Sequence, residues 1–327
     1  MEYRNFGKTA LKVSAVGFGA WAIGGPAMAG DVPIGWGQMD DRTSIKALKR
    51  SLDLGINFYD TADFYGLGHS EELIGKVLGN RTDVFVASKV GHRLSSNDEI
   101  VVDYSKKHIV ESCEKSLWRL KRDTIDYYQL HTAKKSDLQS GECVEAMEQL
   151  KRQGKIRYWG VSLNTFQPFP EAEYMLEQGI GDGFQLVLNI INQESLDIVT
   201  KAHEKGYGII ARMPLQFGLL TGKFTKATRF SEDDHRFFRL PPEILSGSLD
   251  ALENVWPLAD KHGLSKTELA MSFILSFEGV STVIPGIRTP EQAESNTRGI
   301  IRLPAESRDH IRSLYQPLFR EILFKMK

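Results

Sequence analysis

The chain has 327 residues, of which 41% are hydrophobic and 25% are charged, and its formal net charge is −1. This composition is ordinary for a soluble globular protein, and the balanced charge gives no electrostatic footprint for nucleic acid or an anionic membrane. Only two cysteines occur, Cys113 and Cys143. Two are too few for a disulfide framework, so we expect a cytoplasmic protein in a reducing compartment.

The amino-terminal segment YRNFGKTALKV, residues 3–13, predicts a β-hairpin with Gly7 in its turn, which would cover the bottom of the fold. The uncharged residues 13–30 follow Lys8 and Lys12 and imitate a secretory signal peptide. Their many glycines and Pro26 favour a strand followed by a glycine-rich loop, and we treat cleavage as the weaker alternative. No run of the sequence is apolar and long enough to span a bilayer.

From Thr43 onward one pattern repeats: an amphipathic helix, a glycine, and a short run of β-branched and aromatic residues. Helices are predicted to begin at Thr43 and Ser105, and helical spacing also predicts Trp118 and Trp256 as core residues. The predicted strands are VSAVGFG (13–19), INFYD (56–60), DVFVAS (83–88), TIDYYQLH (124–131), KIRYWGVS (155–162), FQLVLN (184–189), YGIIAR (207–212) and STVIPG (281–286). Eight strands alternating with helices predict an α/β fold, a single-domain (β/α)8 TIM barrel, with a doubly wound open sheet as the alternative.

The longest irregular segment covers about residues 222–248 and contains Asp233, Asp234, His235 and Arg236. Loops of this length in compact domains are usually functional or disordered, and the phenylalanines of this segment argue against disorder. We therefore expect residues 224–240 to fold over a ligand.

Four ionisable residues come where three of the predicted strands end: Asp60, Tyr65, Lys89 and His131. Barrel enzymes place their chemistry at the carboxyl ends of their strands. An ammonium such as that of Lys89 would stabilise a phenolate, so Tyr65 could act as an acid near neutral pH. Asp60 would hold Lys89 in place, and His131 would donate a hydrogen bond to a substrate carbonyl. Together these groups predict proton transfer to an oxygen that is becoming an alkoxide.

Each of these residues also has a structural interpretation. Asp60 could cap a turn, Lys89 could be a solvated surface charge, and His131 could be a core histidine. A metal site built from Asp60 and His131 is another alternative, but a neighbouring lysine would oppose a cation, so no metal is predicted. The coincidence of all four at strand ends favours the catalytic interpretation.

Several long segments resemble the aldo-keto reductase superfamily, in that family's order along nearly the whole chain. They are GFGAWAIGG (17–25), NFYDTADFYG (57–66), ASK (87–89), YQLH (128–131), GKIRYWGVS (154–162), FQLVLN (184–189), PLQFGLLTGK (214–223) and VIPGIRTPEQAESN (283–296). The resemblance implies a (β/α)8 barrel that transfers a hydride from NADP(H) to an aldehyde or ketone, with Tyr65 as the general acid. The hydride source rests on the resemblance, since no GxGxxG fingerprint is present.

The resemblance also implies contacts to the cofactor. Ser162, Asn164 and Gln185 would hydrogen-bond the nicotinamide carboxamide, although Leu163 separates the usual Ser-Asn pair here. Arg212 stands where many members have a tyrosine that stacks on the nicotinamide. Its planar guanidinium can stack as well, or its charge can meet an acidic substrate or a cofactor phosphate. The matching segment that follows contributes Pro214, Leu215, Gly218, Leu219, Gly222 and Lys223.

The far end of the cofactor would meet a helix predicted to begin at Thr289-Pro290, whose free amides suit a phosphate. Arg288 would clasp a 2′-phosphate in a bidentate manner, and Gln292 and Asn296 would contact the adenosine. Gly286 stands where many relatives have a lysine, so the preference for NADP rests mainly on Arg288.

Trp21 and Phe64 are predicted as walls of a pocket for a small carbonyl substrate. His92 and Arg93 indicate either a polar or anionic substrate or a solvated loop. Two rival functions remain: a nicotinamide-sensing regulatory protein on the same barrel, and a barrel hydrolase or isomerase that works without nicotinamide. The intact set of four ionisable residues favours the reductase.

Overall fold

The computed structural model of the chain describes residues 1–30, 32–35, 37, 39–231, 234 and 236–326. Its main sheet has eight parallel strands: β1 (Phe18–Gly19), β2 (Phe58–Asp60), β3 (Phe85–Val90), β4 (Ile125–His131), β5 (Ile156–Ser162), β6 (Gly183–Val187), β7 (Gly208–Arg212) and β8 (Thr282–Ile284). Neighbouring strands follow chain order, and parallel bridges from Val16 to Val283 and from Gly19 to Gly286 join the first strand to the last. The sheet therefore closes on itself, which confirms the predicted barrel and rules out the open doubly wound sheet.

Eight helices surround the barrel: α1 (Asp41–Asp53), α2 (His69–Val77), α3 (Lys106–Leu120), α4 (Glu142–Arg152), α5 (Phe169–Gln178), α6 (Leu196–Glu204), α7 (Lys266–Leu275) and α8 (Pro290–Thr297). Further helices are Lys135–Ser140, Arg236–Arg239, Pro242–Leu252, Pro257–His262, Ala305–Ser313 and Arg320–Lys325. None of the helices in the described residues combines the length and the apolarity needed to cross a membrane.

Side-chain caps decide where several helices begin. The predicted starts at Ser105 and Thr289 are confirmed, because each hydroxyl accepts a hydrogen bond from a backbone amide in the first turn of its helix. The predicted start at Thr43 is wrong. The carboxylate of Asp40 accepts from the amide of Thr43 at 3.0 Å, so α1 begins upstream, at Asp41.

The amino-terminal hairpin closes the bottom of the barrel, as predicted. Strands Tyr3–Asn5 and Lys12–Ser14 pair antiparallel, and the buried ring of Phe6 lies 4.8 Å from the ring of Tyr127 on β4. Gly7 approaches the chain so closely that a Cβ there would collide with the backbone of Gly206. The hairpin leaves the opposite, carboxyl-terminal end of the strands for the site.

The long segment predicted as irregular over residues 222–248 contains more regular structure than expected. Arg236–Arg239 is helical, and helix Pro242–Leu252 begins inside the segment, with a proline in its first turn. Within the segment the guanidinium of Arg236 lies 4.7 Å from the ring centre of Phe230. Asp233 and His235, which belong to this segment, lie outside the described residues.

The two tryptophans predicted as core differ in outcome. Trp256 is buried, which confirms that prediction, but the prediction for Trp118 is wrong because that side chain is 76% exposed. Helix α3 buries Ile109, Cys113 and Leu117. Trp118 follows Leu117 directly and is therefore rotated about 100° away from the buried face.

Candidate active site at the carboxyl ends of the strands

Strand register brings the four predicted ionisable residues to one end of the barrel. Asp60 is the last residue of β2 and His131 the last of β4, while Lys89 stands one residue before the end of β3. In the parallel ladder Lys89 pairs with Gln129, two residues before His131. Side chains at such neighbouring strand ends converge on a common mouth.

Tyr65 is the first residue of the helical turn Tyr65–Gly68, which follows β2. The chain after β1 packs directly against this turn. A Cβ on Gly24 would lie 2.9 Å from the carbonyl carbon of Tyr65, so glycine permits the close approach. The ring of Trp21, from the same segment, lies 6.5 Å from the Tyr65 ring.

Lys89 connects Asp60 to Tyr65. Its side chain is fully buried, and its Nζ donates to Asp60 Oδ1 at 2.6 Å, to the Thr61 carbonyl at 2.8 Å and to the Tyr65 hydroxyl oxygen at 3.1 Å. Burial acts to lower the pKa of Lys89, but the charge of Asp60 and the Tyr65 hydroxyl outweigh it and hold that pKa above its usual value. A charged ammonium therefore stands permanently against the phenol oxygen.

Two glutamines hold the second oxygen of Asp60. Asp60 Oδ2 accepts from Gln129 Nε2 at 3.0 Å and from Gln185 Nε2 at 2.6 Å. Sequence reasoning missed Gln129, although it lies two residues before His131 and so on the same face of β4. Gln185, predicted to bind the nicotinamide carboxamide, uses its amide nitrogen for Asp60, and its Oε1 lies 3.5 Å from the hydroxyl of Ser162.

His131 is a neutral imidazole beside the phenol. Its ring centre lies 6.0 Å from that of Tyr65, with the two planes at 83°. Burial above all, then the charges of His92, Lys89 and Arg212, hold the pKa of His131 well below its usual value. Its Nδ1 is buried and has no hydrogen-bond partner among the described residues.

His92 packs against this imidazole, a contact that sequence reasoning missed. The two histidine rings stack with centres 4.3 Å apart, and His92 Nε2 lies 3.0 Å from the hydroxyl of Thr132. Phe64, predicted as a pocket wall, meets His92 edge-on at 5.6 Å. The solvated-loop alternative is therefore wrong for His92, whereas Arg93 is exposed and pairs with Asp103 at 3.1 Å.

Arg212 ends β7 and carries a charge without a carboxylate partner in the described part of the chain. Its Nη2 donates to the carbonyl of Leu163 at 3.1 Å and to the hydroxyl of Thr165 at 3.0 Å, and its buried Nε has no partner among the residues that the structure describes. Asn164, from the same loop, is exposed, and its Oδ1 accepts from the amide of Phe166 at 2.9 Å. The Asn164 oxygen thus closes a local turn.

The residues predicted for the far end of a cofactor surround the start of α8. Gln292 folds back so that its Oε1 accepts from the backbone amide of Arg288 at 2.8 Å, and Asn296 is buried. Burial, and next the charge of Arg236, lower the pKa of Arg288, while Asp234 acts in the opposite direction. The segment after β7 thus brings the ion pair of Arg236 and Asp234 within electrostatic reach of Arg288.

The remaining predicted contacts differ in exposure. Space is open beside Gly286, where a Cβ would meet no atom of the described residues within 4 Å. In the loop after β7, Leu219 is fully buried in the core, whereas Gly222 and Lys223 are exposed. The other members of that loop are partly or fully covered: Pro214, Leu215 and Gly218.

Comparison with known proteins gives a consistent result. The family model described as the aldo/keto reductase family matches residues 15–316. The uncharacterized oxidoreductase YqkF of Bacillus subtilis (strain 168) is 32% identical over 298 residues, which are 90% of this chain and 90% of that protein. A probable voltage-gated potassium channel subunit beta from Arabidopsis thaliana is 29% identical over 324 residues, covering 93% of this chain and 92% of that one.

A solved structure shares the whole architecture. The holo form of aldo-keto reductase AKR11C1 from Bacillus halodurans superposes with a TM-score of 0.77 at 28% identity, covering 97% of each chain. With barrel, strand-end cluster and family match in agreement, the chain belongs to the aldo/keto reductase family, a family of oxidoreductases that use a nicotinamide cofactor.

Proposed function

We propose that the protein is an NADP(H)-dependent aldo-keto reductase that reduces an aldehyde or a ketone to the alcohol and also catalyses the reverse reaction. The observation that carries the proposal is the hydrogen-bonded series from Asp60 through Lys89 to Tyr65, with the neutral ring of His131 beside the phenol. A cytoplasmic location and a small-molecule carbonyl substrate belong to the proposal. The two free cysteines, both buried, fit a reducing compartment.

The residues present fit a nicotinamide dinucleotide. The buried Nε of Arg212 is a donor without a hydrogen-bond partner in the described part of the chain, and its Nη2 bonds Leu163, which follows Ser162, a proposed carboxamide contact. At the other end, Arg288 stands just before the start of α8, where its guanidinium and the free amides of the first turn suit a phosphate. These residues would hold the dinucleotide along the mouth of the barrel.

When bound, the dinucleotide supplies the hydride that reaches the carbonyl carbon. The Tyr65 hydroxyl then gives its proton to the carbonyl oxygen, and the ammonium of Lys89, 3.1 Å away, stabilises the phenolate that remains. Asp60 keeps that ammonium in place. His131 donates a hydrogen bond to the carbonyl oxygen and thereby orients the substrate against Tyr65.

A regulatory protein that senses the cofactor is the second candidate, because one relative is described as a probable channel subunit. The test is a panel of aldehydes and ketones with NADPH, followed by loss of the reduced nicotinamide absorbance. Turnover supports the reductase. Binding of NADPH without turnover of any carbonyl would favour the regulatory protein. If NADPH did not bind at all, a barrel hydrolase or isomerase would become the favoured function.

The preference for NADPH should depend on Arg288. Replacing it with alanine removes a charge-assisted contact to the 2′-phosphate, so kcat/KM should fall about tenfold to a hundredfold with NADPH and little with NADH. Steady-state kinetics with both cofactors measures the ratio. Arg302→Ala is the matched control, because Arg302 is exposed and pairs with Glu278 away from the site. An unchanged ratio in Arg288→Ala would remove Arg288 from cofactor discrimination.

Carbonyl reduction should continue as the pH falls through about 6.5, where an ordinary imidazole takes up a proton. The neutral ring of His131 is the form proposed to act, and its pKa lies well below the usual value, chiefly because of burial. The activity that depends on this ring is therefore lost only at the lower pKa. A kcat profile between about pH 5 and 8 checks this. A decline near 6.5 in the wild type that is absent in His131→Gln would contradict it.

A further inference from the structure

Arg212 places a positive charge beside the cluster of ionisable residues. No carboxylate of the described residues forms an ion pair with that charge. Three uncharged groups accept from its guanidinium: the Leu163 carbonyl, the Thr165 hydroxyl and the Met213 sulfur. The carboxylate of Asp60 is within electrostatic reach, but it already accepts from Lys89 and two glutamines. Within the described residues, the charge of Arg212 therefore has no counter-ion.

Such an arrangement is costly to the folded protein. Burial lowers the pKa of Arg212, but a guanidinium remains protonated in proteins because its ordinary pKa is so high. Arg212 is half-buried, and a half-buried charge without a counter-ion is less stabilised than a paired one. The fold nevertheless anchors both Nη atoms of this guanidinium and leaves its Nε directed at no protein acceptor among the described residues.

The guanidinium of Arg212 is held in position by its hydrogen bonds to the loop that follows β5. Leu163 and Thr165 follow Ser162, whose hydroxyl lies 3.5 Å from Gln185 Oε1, and these two polar groups are the proposed carboxamide contacts. The charge of Arg212 also reaches His131 and Tyr65. Arg212 thus bonds the loop that follows a proposed nicotinamide contact and lies within electrostatic reach of the reacting groups.

A nicotinamide ring changes its own charge in this reaction. The oxidised ring is a cation and the reduced ring is neutral, so a nearby guanidinium repels the oxidised form and leaves the reduced form unaffected by charge. Because Arg212 is half-buried, water screens that repulsion less than it would at an exposed site.

We propose that Arg212 is a redox-discriminating residue, whose charge makes the site bind NADPH more tightly than NADP⁺. The inference rests on the proposed function as a nicotinamide-dependent oxidoreductase. A charged side chain at this position differs from one that only stacks, because a flat neutral side chain would contact the ring without distinguishing its two charge states.

The test is calorimetric titration of NADPH and of NADP⁺ into wild type, Arg212→Gln, Arg212→Tyr and Arg212→Lys. The ratio of the NADP⁺ Kd to the NADPH Kd should fall about tenfold in the glutamine and tyrosine variants, mainly through tighter NADP⁺ binding, and should persist in the lysine variant. Thermal melting confirms that each variant is folded, and the conservative lysine and glutamine variants guard against loss of the fold.

A ligand without the ring provides an internal control. 2′-Phospho-ADP-ribose should bind wild type and Arg212→Gln with equal affinity, since it lacks the group whose charge changes. An unchanged Kd ratio in Arg212→Gln, or an equal loss of affinity for both cofactors, would overturn the proposal and leave Arg212 as a neutral contact. Failure of wild type to bind either cofactor would overturn the proposed function itself, which is a distinguishable result.

Discussion

Replacing Tyr65 with phenylalanine should lower kcat/KM for carbonyl reduction by about 10²–10⁴-fold, the usual contribution of a general acid. The change removes the hydroxyl that lies 3.1 Å from Lys89 Nζ. It keeps the ring, whose centre lies 6.0 Å from that of His131 and 6.5 Å from that of Trp21. The pocket should therefore keep its shape, and the Kd for NADPH, measured by fluorescence titration, should stay near the wild-type value.

The matched control is Tyr158→Phe. The Tyr158 hydroxyl accepts from the amide of Ala10 at 3.0 Å, at the covered bottom of the barrel, so its loss should leave kcat/KM unchanged. If Tyr65→Phe retained activity within about tenfold of wild type, less than the range for a general acid, the phenol would not be the proton donor.

Replacing Lys89 with methionine should remove activity and also destabilise the fold. Methionine resembles the lysine stem in length, but it leaves the Asp60 carboxylate buried without the ammonium that now lies 2.6 Å away. Removing one partner of a buried ion pair costs about 3–5 kcal/mol. The free energy of unfolding, measured by denaturant titration, should fall by that amount.

A double variant separates stability from catalysis. Asp60→Asn with Lys89→Met removes both buried charges, so it should recover much of the lost stability while remaining inactive, because no ammonium faces the phenol. Asparagine can still accept from Gln129 and Gln185 through its side-chain oxygen. If Lys89→Met were as stable as wild type, or the double variant no more stable than the single one, the ion pair would not be the source of the effect.

The barrel and the clustering of the four ionisable residues could be predicted from the sequence because both depend on local pattern. Each helix–glycine–strand unit shows in the sequence, and Asp60 and His131 follow directly from being the last residues of their strands. The partners of these residues could not be predicted. The bonds from Gln129 and Gln185 to Asp60, and the stacking of His92 on His131, join residues of separate strands and loops, whose relative positions depend on the closed barrel.

Two predictions about helices were wrong by one turn or less, because a nearby side chain in the same helix took the predicted role. Thr43 and Asp40 are both good helix caps, and the structure uses the upstream carboxylate, which accepts from two amides. Trp118 and Leu117 are adjacent apolar residues of α3, so the helical period can place only one of them fully inwards. Composition does not distinguish such neighbours, because the choice depends on what packs against the helix.

The hairpin beneath the barrel has a consequence for turnover. With Phe6 filling the amino-terminal end of the strands and Gly7 tight against Gly206, the described chain offers compounds a route to Tyr65 from above. Under the proposed function, the carbonyl substrate and the alcohol product would enter and leave at the carboxyl end of the described strands. Release of the product from this end, rather than proton transfer, would then limit kcat once the chemical step is fast.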